Sequence, residues 1–221
     1  MLYSIVSENR NSHLILIVDY GVGNLMSVQN MAKKAGAGAI VSGDVSAVKD
    51  ADKIILPGVG HFNHGMKKLR ESGLVEALNH AAMSDMKPIL GICLGSQILG
   101  NGSEEGDEPG LGWINMKCRK FPKADSFPVP HMMWNEINIE NPHPLFATME
   151  ESARYYFVHS FFMECADPSD VVATTNYGQN FASVVRHKNI IGTQFHPEKS
   201  IRYGLALISA FNSLEKEDFL S

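Results

Sequence analysis

The 221-residue sequence lacks a lysine- or arginine-rich block, an apolar run of membrane-spanning length and a framework of cysteines. Its 19 basic residues are outnumbered by 24 acidic ones, for a formal net charge of -5. That balance argues against nucleic acid or an anionic membrane as the main partner. Three scattered cysteines, Cys93, Cys118 and Cys165, are too few for a disulfide scaffold and fit a reducing cytoplasm. The first ten residues have no basic start followed by a long apolar stretch, so no export signal is expected. No internal repeat, low-complexity tract, interdomain linker or Gly-x4-Gly-Lys-Ser/Thr phosphate loop occurs. What remains, 44% hydrophobic and 19% charged, suits a globular α/β protein. One domain over 14–221, preceded by an N-terminal extension over 1–13, is the simplest division.

The first half repeats strand, glycine turn and helix. Leu14–Val18 reads as a buried strand ending in Asp19-Tyr20-Gly21-Val22-Gly23, and Asn24 is placed to cap a helix through Ala35. Strands are expected near 39–41, 53–56 and 88–92, and helices over 62–69, 74–83 and from Gly95 to Leu99. This pattern predicts a mostly parallel sheet flanked by helices. Beyond Gly110 the texture changes to short strands near 113–119, 135–139, 155–161, 171–175, 182–185 and 190–194. These are expected as an antiparallel extension of the same sheet. A helix over 203–214 closes the chain.

Two distant segments carry chemistry. Gly91-Ile92-Cys93-Leu94-Gly95 puts a cysteine between glycines at a strand-to-helix turn, the thiol counterpart of a nucleophile elbow. The positive end of the following helix would favour thiolate. His196-Pro197-Glu198 follows a later strand, and on an extended backbone residues i and i+2 share a face, so Glu198 can orient His196. An oriented imidazole beside a thiol is an activated nucleophile; the competing reading of Cys93 is a buried structural thiol. Pro57-Gly58-Val59-Gly60 is either an oxyanion-binding backbone, together with the N–H after Cys93, or an ordinary turn. His61 and His64 could share a helix face but find no further metal ligand at suitable spacing, and no cofactor or metal is expected.

These segments, with Asp19–Leu25, Ser103–Gly106, Gly110–Gly112, Val129–Met132, Trp134-Asn135, Tyr156–Ser160 and Gln194–Ser200, resemble the class I (triad) glutamine amidotransferases. The nearest resemblance is to the glutaminase subunits of imidazole glycerol phosphate synthase. The resemblance covers the chain from about residue 14 to its end. It implies a triad of Cys93, His196 and Glu198, an oxyanion site from backbone of Gly58, Val59, Gly60 and Leu94, and a γ-glutamyl thioester on Cys93. It also implies that Gln97 and Glu105 meet the amino-acid head of glutamine, with backbone of Ser160 and Phe161 alongside. On the residues alone, Glu104 and Glu105 read as a solvated acidic loop. The family pairs such a subunit with a HisF-type cyclase as a heterodimer that receives the ammonia. Asn24, Trp134 and Lys199 stand at positions resembling interface residues; read alone, they are a helix cap, a core aromatic and a surface lysine.

Two positions depart from the family pattern: Ser96 where methionine is common, and Met133 where the Pro-His-Met segment usually continues with glycine. A glycine at positive φ there would leave methionine strained. Two rival readings follow: a related subunit feeding ammonia to a HisF-like partner in surface-sugar biosynthesis, and a stand-alone γ-glutamyl cysteine hydrolase of the same fold.

Overall fold

The computed structural model describes residues 13–122 and 127–219; all of the expected N-terminal extension except His13 lies outside the described residues. Alternation of strand and helix builds the first half: β1 (Leu14–Val18), α1 (Leu25–Lys34), β2 (Gly38–Ser42), α2 (Val45–Asp50), β3 (Lys53–Gly58), α3 (Phe62–Glu71), α4 (Val75–Met83), β4 (Ile89–Cys93) and α5 (Leu94–Gln97). The second half is mainly strands: β5 (Gly102–Ser103), β6 (Met116–Lys120), β7 (His131–Glu136), β8 (Asn138–Ile139), β9 (Arg154–His159), β10 (Phe161–Cys165), β11 (Val171–Asn176), β12 (Asn180–His187) and β13 (Ile190–Thr193), followed by α6 (Ile201–Ser213).

The main sheet runs β2-β1-β3-β4-β13-β12-β10-β6-β5, with β11 and β8 attached through β12. Pairs from β2 to β13 are parallel; β13–β12, β12–β10 and β10–β6 are antiparallel. Parallel strands covered on both faces need apolar side chains at every position, which is why β1 reads as an unbroken run. Ile15 and Ile17 belong to one buried cluster and Leu16 and Val18 to the other, as the two-residue period of a strand demands. Buried Lys53 serves helix capping: its Nζ donates to the carbonyls of Phe211 (2.8 Å) and Asn212 (2.6 Å) at the end of α6. No described helix is long and apolar enough to cross a membrane.

Several expectations are corrected. Helix α2 is absent from the sequence reading because its six residues bury only Val48, too little for a periodic signal. The strand expected over 135–139 starts at His131 and breaks before β8; Met132, Met133 and Trp134 are all exposed, so alternation gives no guide. The run expected over 155–161 divides at Ser160 into β9 and β10. Strands β7 and β9 do not extend the main sheet but pair with each other as a separate ribbon, tied to His196 by a single bridge from Tyr156. The strand expected from Trp113 begins at Met116, because the buried indole leaves to donate its N–H to Asn79 Oδ1 at 2.8 Å.

Strand register decides where chemistry gathers. Gly58 pairs with Cys93, and Thr193 with Ile92, so the carboxyl ends of β3, β4 and β13 lie side by side.

Candidate active site

Cys93 ends β4 with φ 54° and ψ -111°, a conformation that turns the chain sharply into α5. Its flanking glycines permit that turn to pack. A Cβ on Gly95 would run into the carbonyl oxygen of Leu56 on β3, and one on Gly91 would sit 2.8 Å from Gly95 O. Gly58 is equally constrained: a Cβ there would lie 2.7 Å from Gly95 N. Ser96 is buried beneath the turn and donates to Cys93 O at 2.7 Å. Its small side chain fits because Gly192 packs against it, a Cβ on that glycine meeting Ser96 Cβ at 2.8 Å. Helix α5 is a single turn, so the expected positive helix end reduces to the first-turn N–H groups.

His196 and Glu198 come together, though not on the extended backbone the sequence suggested: Pro197–Lys199 forms a 3-10 turn that folds the carboxylate back onto the ring. Nδ1 of His196 lies 2.8 Å from Glu198 Oε1, with the two side chains 1% and 2% exposed. A carboxylate only accepts, so Nδ1 carries the proton and Nε2 is left as the basic nitrogen. Cys93 is the neighbour that acts most strongly on the His196 ring. Burial pulls the His196 pKa down, but hydrogen bonding and charge interaction with Cys93, then with Glu198, outweigh it and raise the pKa to about 10. The loop is pinned by Ser200, whose hydroxyl donates to His196 O (2.6 Å) and accepts from Tyr156 N–H (3.0 Å). Sequence reasoning missed that residue. It also missed Gln194, whose Nε2 lies 3.9 Å from Cys93 Sγ.

Cys93 and His196 open onto a cleft of about 490 Å³. Of the sequence-derived candidates, Val59, Gly60, Leu94, Gln97, Glu105, Ser160, Phe161 and Lys199 also line it. Gly58 lies behind this lining, packed against Gly95 and the Tyr20 hydroxyl, which donates to Pro57 O at 2.8 Å. Burial, then the neighbouring Cys93, pushes the Tyr20 phenol well above its ordinary range. Glu105 is not merely a solvated loop residue: Oε2 accepts the first N–H of α3, from Phe62, at 2.8 Å. Asn24 holds the cap position of α1, but its side chain makes no capping hydrogen bond. Trp134 is no core residue; it is 37% exposed and packs edge-on to Tyr156, over which the Lys199 ammonium also sits. Met133 lies in the extended strand β7 rather than at positive φ, so it carries no backbone strain. His61 caps α3, its Nδ1 accepting from Asn63 N–H, and the described residues contain no group of three or more potential metal ligands.

A second buried chain supports the cleft wall. The carbonyl of Phe161 accepts from His159 Nδ1 at 2.8 Å, which leaves His159 Nε2 to accept from His131 Nδ1 at 3.0 Å. His131 Nε2 then faces Asn135 Nδ2 at 3.3 Å. Every donor finds an acceptor only if both rings are neutral, and burial holds both well below the usual imidazole range. His143 is likewise held down to about 4, by burial first and Arg186 second. Unfolding in acid therefore takes up protons at all three sites. Their contribution to stability is complete above about pH 6.5 and is lost as pH falls toward about 4. His196 acts in the opposite sense, its contribution present below about pH 6.5 and lost as pH rises toward about 10. Denaturant midpoints should thus peak near pH ~6–7. His143→Asn, which keeps an acceptor for Leu145 N–H, should flatten the acid limb; midpoints independent of pH between ~7 and ~4.5 would contradict this.

Comparison with known proteins agrees with this geometry. The family model for glutamine amidotransferase class-I matches residues 16–211. Imidazole glycerol phosphate synthase subunit HisH 2 of Pseudomonas aeruginosa is 48% identical over 201 residues, covering 91% of this chain and 100% of that one. The subunit HisH 2 of Methanococcus maripaludis is 44% identical over 198 residues, covering 90% and 98%, and the HisH of Bdellovibrio bacteriovorus is 43% identical over 204 residues, covering 91% and 100%. Among solved structures, PurLQS from Thermotoga maritima superposes with a TM-score of 0.71 at 22% identity, covering 92% of this chain and 100% of the other. A glutamine amidotransferase superposes at 0.64 with 18% identity, covering 87% and 98%, and both likenesses concern the fold. The chain belongs to the class-I glutamine amidotransferases and, within them, to the HisH subunits of imidazole glycerol phosphate synthase.

Proposed function

We propose that this chain hydrolyses glutamine through a Cys93 thioester and passes the ammonia to a HisF-type cyclase bound over the cleft as a heterodimer in the cytoplasm. The observation that carries the reading is that His196, bonded to Glu198, opens with Cys93 onto one cleft. Sγ of Cys93 attacks the side-chain amide carbon of glutamine, and N–H groups of Leu94 and the Gly58–Gly60 segment receive the oxyanion. His196, held by Glu198, protonates the departing nitrogen as the C–N bond breaks and ammonia leaves. It then takes a proton from water, which attacks the thioester; glutamate departs and sulfur is regenerated.

The cleft supplies complementary groups for an amino-acid head. Both amide hydrogens of Gln97 are committed, to Phe161 O (3.0 Å) and Gln194 Oε1 (3.1 Å), so Gln97 presents its carbonyl oxygen. With the Glu105 carboxylate it forms two acceptors suited to an α-ammonium group. The carbonyls of Ser160 and Phe161 are already occupied, the first by Phe121 N–H, so that segment has N–H groups to offer an α-carboxylate.

Docking of a second protein is supported by Met132, Met133 and Trp134, which are 60%, 46% and 37% exposed in a row on β7. A contiguous apolar strip beside a cleft is characteristic of an interaction site. Asn24 and Lys199 are assigned to the same interface. The test is to measure glutamine hydrolysis alone and with the cyclase and its acceptor substrate. Stimulation of roughly 5–150-fold is expected. An isolated chain that turns over at full rate, unaffected by the cyclase, would favour a stand-alone hydrolase instead.

A further inference from the structure

We propose that Gln194 donates a hydrogen bond to the Cys93 sulfur whenever that sulfur carries negative charge, acting as a fourth catalytic side chain beside the triad. The inference rests on the reading of Cys93 as nucleophile. Gln194 is fully buried, its main chain is fixed by donation to Ser183 O, and its side-chain nitrogen is 3.9 Å from Sγ. It precedes His196 by two residues, in the bend that follows β13, so one short segment brings an amide and an imidazole to the same cysteine.

The direction of this contact is fixed from a distance. A carbonyl oxygen can only accept, so the end of Gln97 facing Phe161 O must be its NH₂ group. The second hydrogen of that group points at Gln194, whose facing atom must therefore be oxygen. The other end of Gln194, the one against sulfur, is then nitrogen. Reversing Gln97 would aim its oxygen at the Phe161 and Gln194 oxygens, and reversing Gln194 alone would set its NH₂ group against that of Gln97. The row is anchored further by His159, which donates to the same Phe161 carbonyl. Its outcome is a buried N–H donor aimed at sulfur, with no acceptor role open to it.

Such a donor discriminates between states of the reaction. N–H to a neutral thioester sulfur is a weak contact, whereas N–H to thiolate is charge-assisted. In the second half-reaction water oxygen bonds to the acyl carbon, the C–S bond breaks, and sulfur departs with the electron pair. Gln194 stabilises that leaving group as well as the attacking thiolate. The titratable groups that interact electrostatically with Cys93 are His196, Tyr20 with its hydroxyl tied to Pro57 O, and Cys118, on which Glu105 also acts.

Two variants test the proposal. Gln194→Glu keeps the length and the acceptor for Gln97 but sets a carboxylate oxygen against sulfur. Gln194→Met keeps an apolar filling and removes the donor. The readouts are the pH midpoint of iodoacetamide alkylation at Cys93, followed by peptide mass, and kcat and KM for glutamine. We expect the alkylation midpoint to rise by about one pH unit or more in Gln194→Glu and by less in Gln194→Met. We expect kcat to fall roughly tenfold or more in both. KM in Gln194→Glu should stay within about threefold, because Gln97 keeps its partner. Folded variants that alkylate with the wild-type midpoint would overturn the role of Gln194. If alkylating Cys93 in the wild type left glutamine hydrolysis intact, the nucleophile reading itself would fail, a result independent of either variant.

Discussion

Cys93→Ala should abolish glutamine hydrolysis, a loss on the order of 10⁶ in kcat by analogy with removal of a covalent nucleophile. The fold and the binding of a cyclase should survive. The thiol occupies little volume, and Ala can keep the turn because its backbone demands match those of Cys at φ 54°. That backbone demand leads to a second, internal comparison. A non-glycine residue in this region costs on the order of 1–3 kcal/mol, retained because the side chain must project above the ends of β3, β4 and β13. Cys93→Gly should be as inactive as Cys93→Ala but more stable, by roughly 1–2 kcal/mol in denaturant unfolding. A glycine variant less stable than the alanine one would mean that the turn is not strained. Residual turnover in the alanine variant near wild type would remove Cys93 from the chemistry.

The parallel half of the fold was legible because its physics is local. A strand buried on both faces must be apolar throughout, and Leu14–Val18 and Lys53–Leu56 announce themselves in that way between glycine-rich turns. The ribbon of β7 and β9 was not legible, because Met132 to Trp134 are exposed in succession and carry no period-two signal. Their exposure separates their apolar character from any core signal. That is why Trp134 also reads, wrongly, as a candidate core aromatic. Departures from the family pattern behaved in the same way. Met133 suggested strain from sequence, but strain depends on φ, and extended strand pairing with Phe157 removes the objection.

The candidate catalytic groups divide along similar lines. Cys93, His196 and Glu198 were readable because two short motifs fix their types; the contact of Glu198 with His196 forms, but through a 3-10 turn over Pro197–Lys199 rather than an extended backbone. Gln194, two residues before His196 in the same short motif, was a signal present and unused. What no sequence rule supplies is the orientation of its amide, which is set by Phe161 O from another strand through Gln97. The glycines flanking Cys93 were readable as small neighbours that avoid backbone clashes, and the structure gives them that role in the close approach of neighbouring backbones. Only Cys93 itself takes the unusual dihedral.

That distinction makes Gly95→Ala the most disruptive single methyl group in the site. Its Cβ would enter the carbonyl oxygen of Leu56, with the Leu56 carbonyl carbon at 2.8 Å and that of Pro57 at 3.1 Å. All three are main-chain atoms of β3, a central strand hydrogen-bonded on both sides, so no side chain can swing aside. Relief requires α5 to lift away from β3. That movement separates Leu94 and Cys93 from Pro57–Gly60, the segment assigned to the oxyanion. Overpacking of this kind costs roughly 1–3 kcal/mol or more, and loss of one oxyanion donor alone about 10²–10³ in rate. Gly95→Ala should therefore unfold at lower denaturant and lose activity well beyond what its stability loss accounts for. Gly38→Ala is the matched control: its nearest neighbour, His13 O, lies at an ordinary 3.6 Å, so both properties should stay near wild type. Should the Gly95 and Gly38 variants prove equally stable and equally active, close backbone packing would not be what holds the cysteine turn against β3.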